Sequence, residues 1–320
     1  HKLTGASLSL PVAAADGPDG RFYVVSGQTL HAFGASGALQ YRVILGGLTA
    51  PRALAVDSRR QVYLLHAPGL QVLDAKGQTR YQIGGARAFD LAEGDRLLVV
   101  GENWIRKYAT DGRLLTEVSG LEETSAHQVV ACALSRSGEI FVYLRDPATG
   151  QGLIVRRDAQ GRFLQEFAQP ARLPSGKDPG IRLDERGRIL LWDAASATLQ
   201  RVHPAGRTEL RAGYAPEGQE PGVLSRPADL AVDGDLVWVA DTGNCRLQRL
   251  STQGRWLEPI SVGIRGGANR AEPRQVAVDG RGTVLCVVHP PSGQGQVVLQ
   301  RRDRRGRLLS QGDLGEAAGN

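Results

Sequence analysis

Histidine is scarce in this chain, six in 320 residues, and its placement is patterned. His66 and His289 each end an apolar run, VYLLH and VLCVVH. Asp193 and Asp241 end the comparable runs ILLWD and LVWVAD. Imidazole and carboxylate together suit a divalent cation, so His66, His289 and Asp241 form a candidate metal set. The competing reading is that Asp241 caps the turn Thr242-Gly243-Asn244 behind it and that the histidines are substitutions in the same kind of turn. His127 stands just before an apolar run and is the free candidate for binding a ligand or partner. His31 falls where related phrases hold Gln71, Gln200 and Gln248, and His203 where they hold Asp74, Asp158 and Asp303. Both are expected to face solvent.

Arginine supplies the other candidate chemistry. Of 39 basic residues only Lys2, Lys76, Lys107 and Lys177 are lysine, and 33 acidic residues leave a net charge of +6. That balance admits an acidic partner such as an acidic peptide, a nucleic acid or an anionic headgroup. Arg52 and Arg274 each follow a Pro that opens a strand, and Arg87 lies near the same slot. Several arginines converging on one mouth would attract an anion, unless Asp57, Asp90 and Asp279 neutralise them. The densest basic run, RRDRRGR at 301–307, raises RNA binding. A surface for RNA also wants stacking aromatics, whereas Phe163 and Trp256 are placed in strands and expected to pack between sheets. No G-x-S-x-G elbow, P-loop, H-E-x-x-H or dinucleotide fingerprint occurs in a fitting context. Cys132, Cys245 and Cys286 are widely spaced without C-x-x-C, which predicts buried thiols. The stretch Asp16-Gly-Pro-Asp-Gly20 lacks the closing Glu of a calcium loop and reads as a turn.

The elements that must position these residues are short strands. Glycine is abundant (41 residues) and aromatics are few (5%), and no long run has the 3.6-residue period of an amphipathic helix. The stretch PADLAVDGDLVWVADTGNCRLQRLSTQGRWL contains four strands separated by turns at Asp233-Gly234, Thr242-Gly243 and Gly254. The phrase recurs clearly from Pro51 and Pro273 and more weakly elsewhere. The glycine of its last turn marks the copies at Gly37, Gly77, Gly112, Gly161, Gly206, Gly254 and Gly306, spaced like four-stranded propeller blades.

The unit opening at Pro227 resembles the NHL repeat, through Pro227, Val232-Asp233, Val239-Ala240-Asp241-Thr242-Gly243-Asn244 and Arg246-Leu247. The resemblance implies an all-β fold, here a seven-bladed β-propeller forming a single domain over residues 1–320. Blades are expected at about 8–46, 47–85, 86–120, 125–170, 177–213, 225–262 and 271–315, counted from the turn glycines. The alternative is six blades with an irregular extra unit, since most NHL propellers have six. Residues 1–10 could add an edge strand. On function the resemblance is nearly silent, because the family spans RNA binders, protein-binding domains and a few lyases. An amidating-lyase-like propeller would bring a histidine before several first strands, and only His127 is so placed.

Long connections fall on one face, at 169–179, 213–226 and 263–272, with lengthened hairpins at 146–152 and 290–295. Loops on a rigid scaffold carry function. The leading expectation is therefore a non-catalytic scaffold presenting that face, with Arg52, Arg87, Arg274 and His127, to a protein or peptide partner. The alternatives are a lyase or hydrolase using a divalent metal at the channel mouth, and RNA binding. No cofactor is expected beyond that metal. No run approaches the roughly 18 apolar residues that span a bilayer, so no transmembrane segment is expected. The chain begins at His1 and contains no Met, which suggests a processed product of the periplasm, cell envelope or extracellular space.

Overall fold

The computed structural model describes residues 11–34, 38–45, 51–92, 94–109, 111–121, 126–172, 180–193, 198–213, 220–251, 253–279, 282–291 and 295–317. Seven four-stranded antiparallel sheets follow one another, at 11–44, 53–84, 88–119, 128–172, 180–213, 227–261 and 272–317, here blades 1 to 7. Each is a meander paired in chain order. Blade 7 closes with its own last strand, Leu308–Ala317, on Gly295–Arg302. The fold is all-β, a seven-bladed β-propeller. The proposed edge strand at 1–10 lies outside the described residues.

Two compact units are distinguished. The first comprises His1–Ala67, Val72–Arg80 and Ala215–Asn320. Within it blade 7 packs on blade 1 through Leu285, Val287, Phe22 and Val24. Blade 1 packs on blade 2 through Tyr23, Val25, Val62 and Leu64, and blade 6 on blade 7 through Trp238, Ala240, Val284 and Cys286. The second unit comprises Pro68–Gln71 and Tyr81–Tyr214. There blade 3 meets blade 4 through Leu98, Val100, Ile140 and Val142, and blade 4 meets blade 5 through Phe141, Tyr143, Ile189 and Leu191.

This packing explains the strand sequences. A second strand such as Phe22–Ser26 is covered on both sides, Phe22 and Val24 towards one neighbour, Tyr23 and Val25 towards the other, so it is buried throughout and its sequence is a continuous apolar run. The outer strand Leu39–Ile44 is covered on one side and alternates between half-buried and exposed. The turn glycines Gly77, Gly112, Gly161, Gly206, Gly254 and Gly306 all have φ between 83° and 89°, a conformation open to Gly at little cost. Each donates its N–H to the carbonyl three residues back, as Gly161 does to Asp158 at 2.9 Å. Gly37 lies outside the described residues. No helix of the described residues is long and apolar enough to cross a membrane.

Candidate partner-binding face

The first strand of the blades carries a recurrent β-bulge. In blades 1, 4, 6 and 7 the register with the second strand skips one residue, at Val12, Val130, Ala228 and Arg274. In blade 2 the N–H of Arg52 donates to the carbonyl of Leu65 at 2.7 Å, although Leu65 is already the ladder partner of Ala53. In blade 3 Arg87 stands in the same relation to Val100, the partner of Ala88, at 2.8 Å. A bulge inserts an unpaired residue and re-aims its side chain. Arg274 occupies such a bulge, and Arg52 and Arg87 each make an extra main-chain bond just ahead of their ladders. Arg52 and Arg87 are exposed, and Arg274 is 41% exposed along its side chain.

The expected neutralising partners differ from those present. Asp57 is buried and spent on its own turn, accepting from the backbone N–H groups of Arg59 and Gln61, the Gln61 amide and the Tyr63 hydroxyl. Asp90 accepts the N–H of Leu134 at 2.8 Å; burial raises its pKa, opposed by Arg182 and by that bond. Asp279 caps the turn at Thr283. Arg87 reaches Glu102 at 3.5 Å with both side chains largely exposed, a pair of little energetic worth. Arg274 donates to Glu272 Oε2 at 2.7 Å, and Arg226 reaches Glu272 Oε1 at 3.4 Å. Sequence reasoning missed Glu272 and Arg226. The only available signal was that they precede the blade-opening Pro273 and Pro227, the slot next to the one that was read.

The bulge also fixes the register of the proposed metal set, and it separates the members. Counted from the bulge, the slot at the end of the second strand holds Ser26, His66, Leu144, Asp241 and Val288. His289 lies one residue further, opposite Glu272. A one-residue offset turns a side chain to the other face of its sheet: Val288 packs towards blade 6, while Leu285 and Val287, of His289's parity, pack towards blade 1. Among the described residues no group of three or more His, Cys, Asp and Glu could hold a metal ion. His66 is 3% exposed with neither ring nitrogen partnered, and His289 is 5% exposed with Nε2 unpartnered. Burial, then Arg274, pushes the His289 pKa down to about 4, with Glu272 opposing.

Asp241 is committed elsewhere. Its Oδ2 accepts from Arg246 Nε at 2.8 Å, Gln248 Nε2 at 2.8 Å and Asn244 Nδ2 at 2.9 Å, and its Oδ1 from the N–H of Ser225 at 2.7 Å. Arg246 also donates to the carbonyls of Val223 and Glu220, and Gln248 to that of Val223. Asp241 therefore secures the segment entering its blade more than the turn behind it. That segment ends in Arg226, a non-glycine residue at φ 48°, a left-handed conformation that carries strain.

Other expectations need correction. His31, Gln71, Gln200 and Gln248 are buried, not solvent-facing, because the middle strands are covered on both sides. His203 is exposed, and its Nδ1 accepts the N–H of Ala205 as the aspartates do in sister turns. Phe163 is 51% exposed on an outer strand. The basic run is largely spent: Arg302 is buried on Gln300 and the carbonyl of Gly306, Arg304 binds Asp233 and Asp235, and Arg307 binds Asp303. His127 is half-buried, and its charge helps hold the Asp146 carboxyl below its usual range, behind the hydrogen bonds from Thr149 and Ala148. Of the expected long connections, residues 173–179, 214–219 and 292–294 lie outside the described residues.

These features define a propeller in which Arg52 and Arg274 of the first unit, and Arg87 of the second, each stand at the entry to a first strand. The NHL repeat model matches residues 224–250, and the seven-bladed architecture fits an NHL-repeat propeller family. No curated protein sequence matches the chain. Among solved structures, the selenomethionine-substituted virginiamycin B lyase from Staphylococcus aureus is similar at 14% identity and a TM-score of 0.64, over 90% of this chain and 94% of that one. A catalytically inactive variant of that lyase, with quinupristin, is similar at 15% identity and a TM-score of 0.63, over 90% and 94%. The Pan2 WD40 domain of Neurospora crassa follows at 13% identity and a TM-score of 0.56, over 81% and 77%. Likeness at this identity concerns the fold alone.

Proposed function

We propose that this protein is a non-catalytic binding scaffold whose loop-bearing face receives a protein or peptide partner. The observation that carries the reading is the bulge arginine. In the first unit Arg52 and Arg274, and in the second Arg87, each stand at the entry to a first strand with an irregular main-chain bond or bulge, which supports the reading. Bulges of this kind re-aim side chains at functional rims. Of the expected metal set, His289 is offset by register and Asp241 is spent on internal hydrogen bonds. The arginines of the opposite turns are mostly engaged by neighbouring carboxylates. A site in the periplasm, cell envelope or extracellular space belongs to the same proposal.

The test is site-specific photo-crosslinking in the native host. A crosslinker at position 52 or 270 is expected to trap a discrete partner, and one at 113 or 305 is expected to trap none. Adducts arising only from 113 or 305 would contradict the reading.

A further inference from the structure

The loop-bearing end of blades 6 and 7 holds an arrangement that specifies the partner's chemistry. Glu272 is buried at 8%, and two guanidinium groups converge on it from different blades, Arg274 at 2.7 Å and Arg226 at 3.4 Å. The carboxylate lies beneath, 11% exposed along its side chain, while the arginines above it are 41% and 65% exposed. One negative charge faces two positive ones, and His289 beside Glu272 adds none at neutral pH, since its pKa is near 4. A guanidinium has five N–H donors, and a single carboxylate does not exhaust two of them.

The two arginines stand at irregular backbone positions, one at the recurrent bulge and one at a positive φ. Arg274 occupies the bulge, which Val12, Val130 and Ala228 occupy in other blades without any charge. Arg226 sits at φ 48°, where Gly would be less strained. Two further exposed cations, Arg265 and Arg270, lie in the hairpin leading into Glu272.

We propose that Arg226 and Arg274, oriented from below by Glu272, bind side-chain carboxylates of an acidic segment in the partner. Planar forked donors match carboxylates two bonds at a time. Glu272 acts as the positioning residue, holding Nη2 of each guanidinium and leaving the other terminal nitrogen of each for a ligand. This inference rests on the reading of the loop-bearing face as the binding face, and it adds what that face reads.

The experiment is calorimetric titration of the whole chain with two end-blocked decapeptides, one alternating Glu and Gly, the other Gln and Gly. Blocked ends leave side-chain carboxylates as the only anions. The Glu peptide is expected to bind and to weaken as salt rises. The Gln peptide should bind at least about tenfold more weakly, and R226Q and R274Q should each weaken the Glu peptide by about fivefold or more. Arg226 is exposed and Arg274 half-buried, so each variant's melting temperature is checked against the parent, and R305Q on the opposite turns should change affinity by less than about twofold. Equal binding of the two peptides, or indifference to R226Q and R274Q, would overturn the carboxylate proposal while leaving photo-crosslinks from 52 and 270 to support the scaffold. Absence of any binding by the Glu peptide would also overturn it.

Discussion

The N–H of Ser225 donates to Asp241 Oδ1 at 2.7 Å across 16 residues, and through this bond a buried ion pair in blade 6 governs the loop that carries Arg226. The other oxygen of Asp241 holds Arg246, which in turn grips the carbonyls of Glu220 and Val223. Interior polar groups here secure the segment that carries Arg226.

Asp241→Ala should therefore cost more than a surface ion pair would. It leaves Arg246, 4% exposed along its side chain, without its carboxylate, and breaking a buried pair on one side typically costs about 3–5 kcal/mol. Chemical denaturation should report that loss. Hydrogen exchange should show residues 222–225 losing protection before the blade strands do.

Stability should fall as pH drops from about 6.5 towards 4. His289 is neutral in the folded protein because its pKa is held near 4, while the unfolded chain takes up a proton near pH 6.5. The unfolded state thus binds more protons in that window, so this contribution is present above pH 6.5 and is lost as pH falls through it. His31, whose pKa burial also lowers, adds in the same direction. The unfolding free energy across pH 7 to 4 should fall less steeply in His289→Gln, by roughly 3 kcal/mol over the window.

Gly161→Ala should destabilise more than Gly187→Ala. Both sit at positive φ, 86° and 72°, a common cost of about 1 kcal/mol. A Cβ at 161 would meet Val118 Cγ2 at 2.3 Å, whereas one at 187 meets nothing within 4 Å. The extra crowding should cost about 1–3 kcal/mol more, read as a larger drop in melting temperature.

These turns were the most legible part of the sequence. Gly77, Gly112, Gly161, Gly206, Gly254 and Gly306 are recognisable because only glycine takes φ near 85° cheaply. Runs such as VYLLH and VLCVVH are recognisable because strands covered on both sides need apolar residues throughout. The bulge was not legible. Its occupants Val12, Arg52, Arg87, Val130, Ala228 and Arg274 share no side-chain property, since what recurs is a backbone hydrogen-bond pattern. Hence the run endings alone pair His289 with His66, although the ladder places it one residue beyond. The Arg226–Glu272 pair was missed because 46 residues separate its members.

Thiol chemistry should distinguish the three cysteines. Cys132 and Cys286 are buried with pKa values raised by burial, Cys286 to about 12, and the thiolate is the reactive form. Cys245 is only partly buried. Alkylation of the native protein near pH 8 should label Cys245 alone, with Cys132 and Cys286 following only on unfolding. Rapid native labelling of Cys132 or Cys286 would show that the interfaces between blades open readily.

The most direct measurement is the affinity of the crosslinked partner for two charge-reversed proteins, R52E/R226E/R274E on the loop-bearing face and R113E/R305E on the opposite turns. The scaffold reading predicts at least about a tenfold loss for the first and less than about twofold for the second. Unchanged affinity in the first with loss in the second would contradict it.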